Sequence, residues 1–141
     1  MDVNTERLEY AGEAWLERIG TVITELAPKM DVRFSMSETF VNVPARLRRQ
    51  DGRPVGWSCR VDGAKTSFYR APDPLAEYRV RLDWAAARDF IKIEYGANPE
   101  RAGAALDVLL RTGGCVRFGA KSAAADRFML RVHDTMARMT A

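Results

Sequence analysis

The run Asn98-Pro99-Glu100-Arg101-Ala102-Gly103-Ala104-Ala105-Leu106-Asp107-Val108-Leu109-Leu110-Arg111-Thr112-Gly113-Gly114-Cys115-Val116-Arg117-Phe118-Gly119 carries more structural instruction than any other part of this chain. Asn98 offers a capping side chain, Pro99 suits a first helical turn, and Glu100 adds an acid where the helix N-terminus favours one. Ala102, Ala105, Leu106, Leu109 and Leu110 then recur at three- and four-residue steps, which puts them on one helical face. Gly113-Gly114 stops that helix after Arg111, as a C-cap does. Cys115 to Phe118 reads as a short strand.

Toward the C-terminus, Ser122 opens a last helix whose apolar face is Ala125, Phe128, Met129, Val132, Met136 and Met139. Toward the N-terminus, Tyr78, Val80, Leu82 and Trp84 alternate with Arg79, Arg81 and Asp83, the period of a half-buried strand. Between these two regions two readings stand. Asp83 caps a helix running through Ala87 and Phe90, or Ile91, Ile93 and Tyr95 form a strand. Upstream, Arg70-Ala71-Pro72-Asp73-Pro74 is a connection. It follows a meander of Val32 to Val43, then Trp57, Cys59 and Val61, then Thr66 to Arg70, punctuated by turns at Asp51-Gly52 and Asp62-Gly63. Pro44 suggests an edge strand or a bulge at the end of the first of these. Leu8, Ala11, Trp15, Ile19, Val22 and Leu26 stripe a first helix that closes before Pro28, with Gly12 delaying its regular part to about Glu13.

A chain of 141 residues, 47% apolar and 29% charged, is long enough to bury a core without staples. Its 22 basic and 19 acidic residues balance too evenly for a nucleic-acid footprint. The start Met1-Asp2-Val3-Asn4-Thr5-Glu6 lacks the basic and apolar regions of an export signal, and no stretch approaches the ~18 apolar residues of a membrane span. Cys59 and Cys115 form no C-x-x-C pair and fall in apolar runs, so both read as small buried hydrophobes.

Catalytic and metal constellations are missing from the pattern. His133 and Asp134 are neighbours on a helix and point about 100° apart, so they cannot form a relay by themselves. Gly56-Trp57-Ser58-Cys59-Arg60 begins like a nucleophile elbow, but Arg60 replaces the closing glycine and the context is a hairpin. Arg46, Arg48, Arg49 and Arg53 gather around the first turn, as solvated hairpin charges or as a contact for an anionic head or acidic partner. Trp15, Trp57 and Trp84 fall on inward faces of separate elements, where large rings pack a core or line a cavity. No residue is singled out as catalytic, and no metal or cofactor is expected.

The order helix, three-strand meander, crossover, strand, helix, strand, terminal helix resembles the sterol carrier protein 2 family from about Trp15 onward. Asn98-Pro99 before a leucine-rich helix, followed by Gly114-Cys115-Val116-Arg117-Phe118-Gly119, carries the likeness. Ala120 stands where the family usually has an acid or asparagine. The resemblance implies a broadly α/β (α+β) fold, a five-stranded, mostly antiparallel sheet covered by helices, as one domain over residues 1–141. It also implies noncatalytic binding of an apolar lipid-like ligand, a sterol, fatty acid or acyl chain, in a hydrophobic pocket. The implied walls are Phe90, Leu106, Leu109, Leu110, Phe128, Met129, Val132 and Met136, with Trp84 and Phe118 from strands. The end Arg138-Met139-Thr140-Ala141 lacks the peroxisomal tripeptide of some members, which points to a bacterial-style cytoplasmic relative. Expected partners are a lipid or steroid, with no nucleic acid and no membrane span, and a homodimer is left open. Two other functions stay in view. One is a small isomerase or hydratase using His133 or Asp83 as base, and the other is a protein-interaction or accessory subunit.

Overall fold

The computed structural model describes residues 7–141, so the reading of Met1 to Glu6 lies outside the described residues. The first helix, α1 (Glu13–Leu26), begins where the sequence places it, because Ala11 takes φ 65° and Gly12 is extended. It buries Trp15, Leu16, Ile19, Gly20 and Ile23. Val22 and Leu26, on the expected stripe, are only half-buried.

The meander is β1 (Arg33–Val41), β2 (Val55–Asp62) and β3 (Ser67–Tyr69), antiparallel throughout, with Glu38 opposite Trp57 and Cys59 opposite Phe68. The next strand, β4 (Tyr78–Asp83), pairs with β1 in parallel and puts Val80 beside Glu38. The last, β5 (Cys115–Gly119), runs antiparallel to β4 with Cys115 opposite Leu82. The spatial order β3-β2-β1-β4-β5 makes β1 the central strand. The edge strand or bulge suggested by Pro44 is therefore corrected. The strand ends at Val41, Asn42 turns with φ 56°, and Pro44 lies beyond the ladder.

To reach β4 from β3, the chain crosses the back of β2 and β1 as a strap through Pro72, Asp73 and Glu77. Its backbone is tied down by serines: Asp73 N–H donates to Ser37 Oγ at 2.8 Å and Glu77 N–H to Ser35 Oγ at 2.8 Å. Gly56 lets the strap lie close, since a Cβ there would sit 2.1 Å from the Glu38 carbonyl oxygen and 2.8 Å from Pro72 Cγ. Ser35, Ser37 and Ser58 are buried beneath it. Both faces of β1 are thus covered, which is why its alternation blurs.

The ambiguous segment after β4 is helical. Asp83 accepts a hydrogen bond from Ala86 N–H at 3.1 Å and caps α2 (Trp84–Ala87), and Phe90–Lys92 make a further 3-10 turn. Trp84 is the first residue of α2 and not a strand residue. The following helix, α3 (Pro99–Thr112), starts on its proline and ends on Gly113 at φ 81°. Asn98 occupies the cap position without a side-chain bond, so the expected cap is made by backbone alone. Its buried face has narrowed to Ala102 and Leu109, with Leu110 39% exposed. Finally, α4 (Ala123–Met139) is capped by Ser122, whose Oγ accepts from Ala125 N–H at 3.1 Å. It buries Ala125, Phe128, Met129, Val132, Met136 and Ala137 against the sheet, with Met139 half-buried. Trp15 Nε1–H donates to Thr140 Oγ1 at 3.0 Å, which ties α1 to the end of α4.

Candidate functional site

Between the front of the sheet and the helices lies a cavity of about 140 Å³. Its floor comes from alternate residues of three strands, Met36, Trp57, Val80 and Leu82, which the pleat turns to the same side. Its roof comes from Trp15 and Ile19 of α1, Leu106 of α3, and Met129, Val132 and Met136 of α4, with Phe90 and Ile91 closing one side. The polar groups on its wall are Glu38, Tyr78, Tyr95, Arg117, Lys121, Asp126 and His133.

Of the expected wall residues, Phe90, Leu106, Met129, Val132 and Met136 line this cavity, and the other five lie elsewhere. Trp84 stacks on Tyr10 with ring centroids 6.3 Å apart and donates its indole N–H to the Tyr10 carbonyl at 3.1 Å. Phe128 is fully buried against Phe34, edge to face at 5.6 Å. Leu109 packs where Gly114 approaches α3. Leu110 and Phe118 face outward, Phe118 being 44% exposed. The pairing of β5 with β4 explains the last of these. Cys115 and Arg117 oppose Leu82 and Val80 on the front, so Val116 and Phe118 point to the back beside Arg79.

Glu38 was missed by the sequence reading. It occupies the inward phase of β1 with Phe34, Met36 and Phe40, one carboxyl in an apolar row. Trp57 Nε1–H donates to its Oε1 at 2.8 Å, and Oε2 has no hydrogen-bond partner among the described residues. Burial pushes the carboxyl up to about 7, against the Trp57 hydrogen bond and the positive charge of Lys121, both of which lower it. Burial likewise drives the Cys59 thiol up to about 12 and raises the Cys115 thiol, so neither is poised as a nucleophile.

Lys121, Asp126 and His133 are already committed. Lys121 pairs with Asp126 at 2.9 Å and lies 4.8 Å over the Tyr78 ring. His133 Nε2 sits 2.8 Å from the Ile93 carbonyl, which can only accept, so Nε2 carries the proton. Its ring is wedged between Phe90 and Tyr95, and burial lowers its pKa. Asp134 is turned away, accepting from Tyr95 N–H at 2.7 Å and Gly96 N–H at 2.9 Å. Asp83, the other base considered, accepts from Asn42 Nδ2 at 2.7 Å and caps α2, which hold its carboxyl below the usual range. Around the first turn, Arg46 pairs with Glu9 and Arg49 with Asp51, while Arg48 donates to the Val43 carbonyl. Among the described residues no helix is long and apolar enough to cross a membrane.

Fold and cavity together define a small α+β domain whose mixed sheet and helices flank a mostly apolar hollow. This is the sterol carrier protein 2 fold. The chain superimposes on sterol carrier protein 2 with a TM-score of 0.54 at 14% identity, over 94% of this chain and 100% of that one. A ubiquinone synthesis protein, UbiJ-SCP2, gives a TM-score of 0.50 at 10% identity over 100% of this chain and 99% of that one. No protein-family model and no curated protein sequence matches the chain.

Proposed function

We propose that this chain is a noncatalytic binder and carrier of an apolar, lipid-like molecule, a sterol, fatty acid or acyl chain, held in the cavity between sheet and helices. The carrying observation is the hollow itself: an apolar void roofed by methionines, which adapt to variable shapes. Each buried ligand methylene would contribute about 0.8 kcal/mol. The fold shared with sterol carrier protein 2 supports the reading. The reading takes the chain as one binding domain in the cytoplasm.

At about 140 Å³ the hollow suits a benzene-sized guest, whereas pockets for larger ligands run to ~300–1,000 Å³. A lipid must therefore displace part of the roof. The helix least anchored is α3, which buries only Ala102 and Leu109 and places half-buried Leu106 over the void. Outward movement of α3 is the loading step in this reading.

Native mass spectrometry of freshly purified protein, followed by organic extraction, tests it. A stoichiometric lipid or steroid is the expected result. Protein that arrives empty and takes up no fatty acid, acyl-thioester or sterol sinks the reading. Leu106→Trp should reduce uptake at least severalfold by filling the roof, with the fold intact by circular dichroism.

A further inference from the structure

We propose that Glu38 determines the specificity of this cavity, its free Oε2 pairing with a hydroxyl at the buried end of the ligand, so that the site selects neutral hydroxyl-bearing apolar molecules over plain hydrocarbons. The inference rests on the binding reading above and names the chemistry that reading leaves open.

Three observations carry it. The register of β1 with β2 and β4 sets Glu38 between Trp57 and Val80 on the cavity floor, where apolar side chains otherwise face the void. Trp57 fixes the carboxyl by holding Oε1 at 2.8 Å. Oε2 remains without a partner among the described residues. A carboxyl left half-paired against an apolar void is costly to the empty protein unless water or a ligand completes it.

Among the described residues no group around the cavity hydrogen-bonds that oxygen, and the Lys121 charge favours its ionised form. From the β5 end, Lys121 is taken up by Asp126 of α4 and by the Tyr78 ring, and Arg117 is exposed and beside Cys115. From α4, His133 is spent on Ile93. The thiols of Cys59 and Cys115 and the hydroxyls of Tyr10, Tyr78 and Tyr95 stay neutral, since burial raises each. α1 and α3 present only Trp15, Ile19 and Leu106.

A hydroxyl matches Oε2 in either protonation state. It accepts from the protonated carboxyl and donates to the ionised one. A guest that expels cavity water pushes the carboxyl further up, so binding of a neutral molecule near neutrality should take up a proton and be tighter at lower pH.

Benzyl alcohol and ethylbenzene, which differ by hydroxyl against methyl, are suitable probes for a void of this size. Each is titrated into the full chain while the Trp57 indole N–H is followed by NMR. The wild type is expected to prefer benzyl alcohol, relative to the two solutes' water-to-hydrocarbon partitioning, by about tenfold more than Glu38→Leu does, the worth of one hydrogen bond. Glu38→Gln, which keeps polar shape without titrating, should retain the preference. It should lose the change in affinity between about pH 5.5 and about pH 8.5, values that bracket the raised carboxyl. If both probes bind and neither substitution alters the preference or its pH dependence, Glu38 is not the selector although the cavity still binds. If neither probe binds the wild type, the inference and the binding reading fall together.

Discussion

The two faces of the central strand treat buried polar groups in opposite ways. On the back, Ser35 and Ser37 both receive and give hydrogen bonds: the strap donates to them at 2.8 Å, and Ser37 donates to the Trp57 carbonyl at 3.3 Å. Both serine hydroxyls are used, although the neighbouring Arg79 Nε is buried without a partner among the described residues, and the small residues let the strap seat closely. On the front, Glu38 is held by one oxygen and faces a void with the other. A closed polar network reinforces a fold, whereas an open one beside a cavity weakens it unless something fills the gap. The comparison separates a face built for stability from a face built for occupancy.

The largest effect is expected from forcing the back face open. Gly56→Val places side-chain carbon where the Glu38 carbonyl is 2.1 Å away, and backbone cannot yield as a side-chain tip can. We expect a loss of about 3 kcal/mol in urea unfolding, at the upper end of overpacking effects. A loss below about 0.5 kcal/mol would show that neither β1 nor the strap approaches Gly56 this closely.

Next in size is the pH response of the front. The Glu38 carboxyl rises from 4.5 to about 7 on folding, so the folded protein holds this proton more tightly than the unfolded chain does. Its contribution is full below about pH 4.5, falls through the window up to about pH 7, and is flat beyond. Discounted because Glu38 is only half-buried, the total is about 2 kcal/mol. His133 acts in the opposite sense, because its lowered pKa costs stability as the pH falls below 6.5. The difference between wild type and Glu38→Gln isolates the carboxyl. The variant should gain on the wild type as pH rises from about 4.5 to about 7, and parallel curves would refute the assignment. In the wild type the Trp57 indole N–H should titrate with its midpoint at about pH 7, the folded-state value of the carboxyl it bonds. The indoles of Trp15 and Trp84, bonded to Thr140 and the Tyr10 carbonyl, should not.

A smaller effect sharpens the back face. Ser37→Ala removes the acceptor of the Asp73 N–H and the donor to the Trp57 carbonyl. The expected cost is about 1–2 kcal/mol, with no change in the pH profile that Glu38 produces. A shifted profile would mean that strap and cavity are coupled through β1.

Much of this architecture was legible because local signals and tertiary packing agreed. Gly12 delayed α1, Pro99 and Gly113 bracketed α3, and Ser122 capped α4 where the sequence placed each. The order of strands and helices followed. Misreadings arose where chemical character was allowed to stand for direction. The family resemblance implies Phe118 as a wall, but the two-residue period links Arg117 to buried Cys115 and sends Phe118 outward. Pro44 hinted at an edge, although a covered back face already accounts for the blurred pattern of β1. Glu38 was overlooked for the same reason. Continuing Phe34 and Met36 by two lands on it, and that phase was the available signal. The size of the void was not legible, since it depends on how four helices and five strands meet.

The smallest effect bears on that misread strand. Phe118 is 44% exposed, and the structure gives it one notable contact, with the Arg79 guanidinium 5.7 Å from its ring centre. Phe118→Thr should cost no more than about 0.5 kcal/mol, and binding of benzyl alcohol should be unchanged. The result matters beyond its size because strand register is all or nothing. A slip of one residue in β5 would bring Phe118 into the cavity and turn Arg117 and Cys115 out. A Phe118→Thr protein that lost its guest, or became markedly less stable, would mean that the slipped pairing is the true one. The front face would then present Val116 and Phe118 from β5 in place of Cys115 and Arg117, and the surroundings of Glu38 would have to be drawn again from that register.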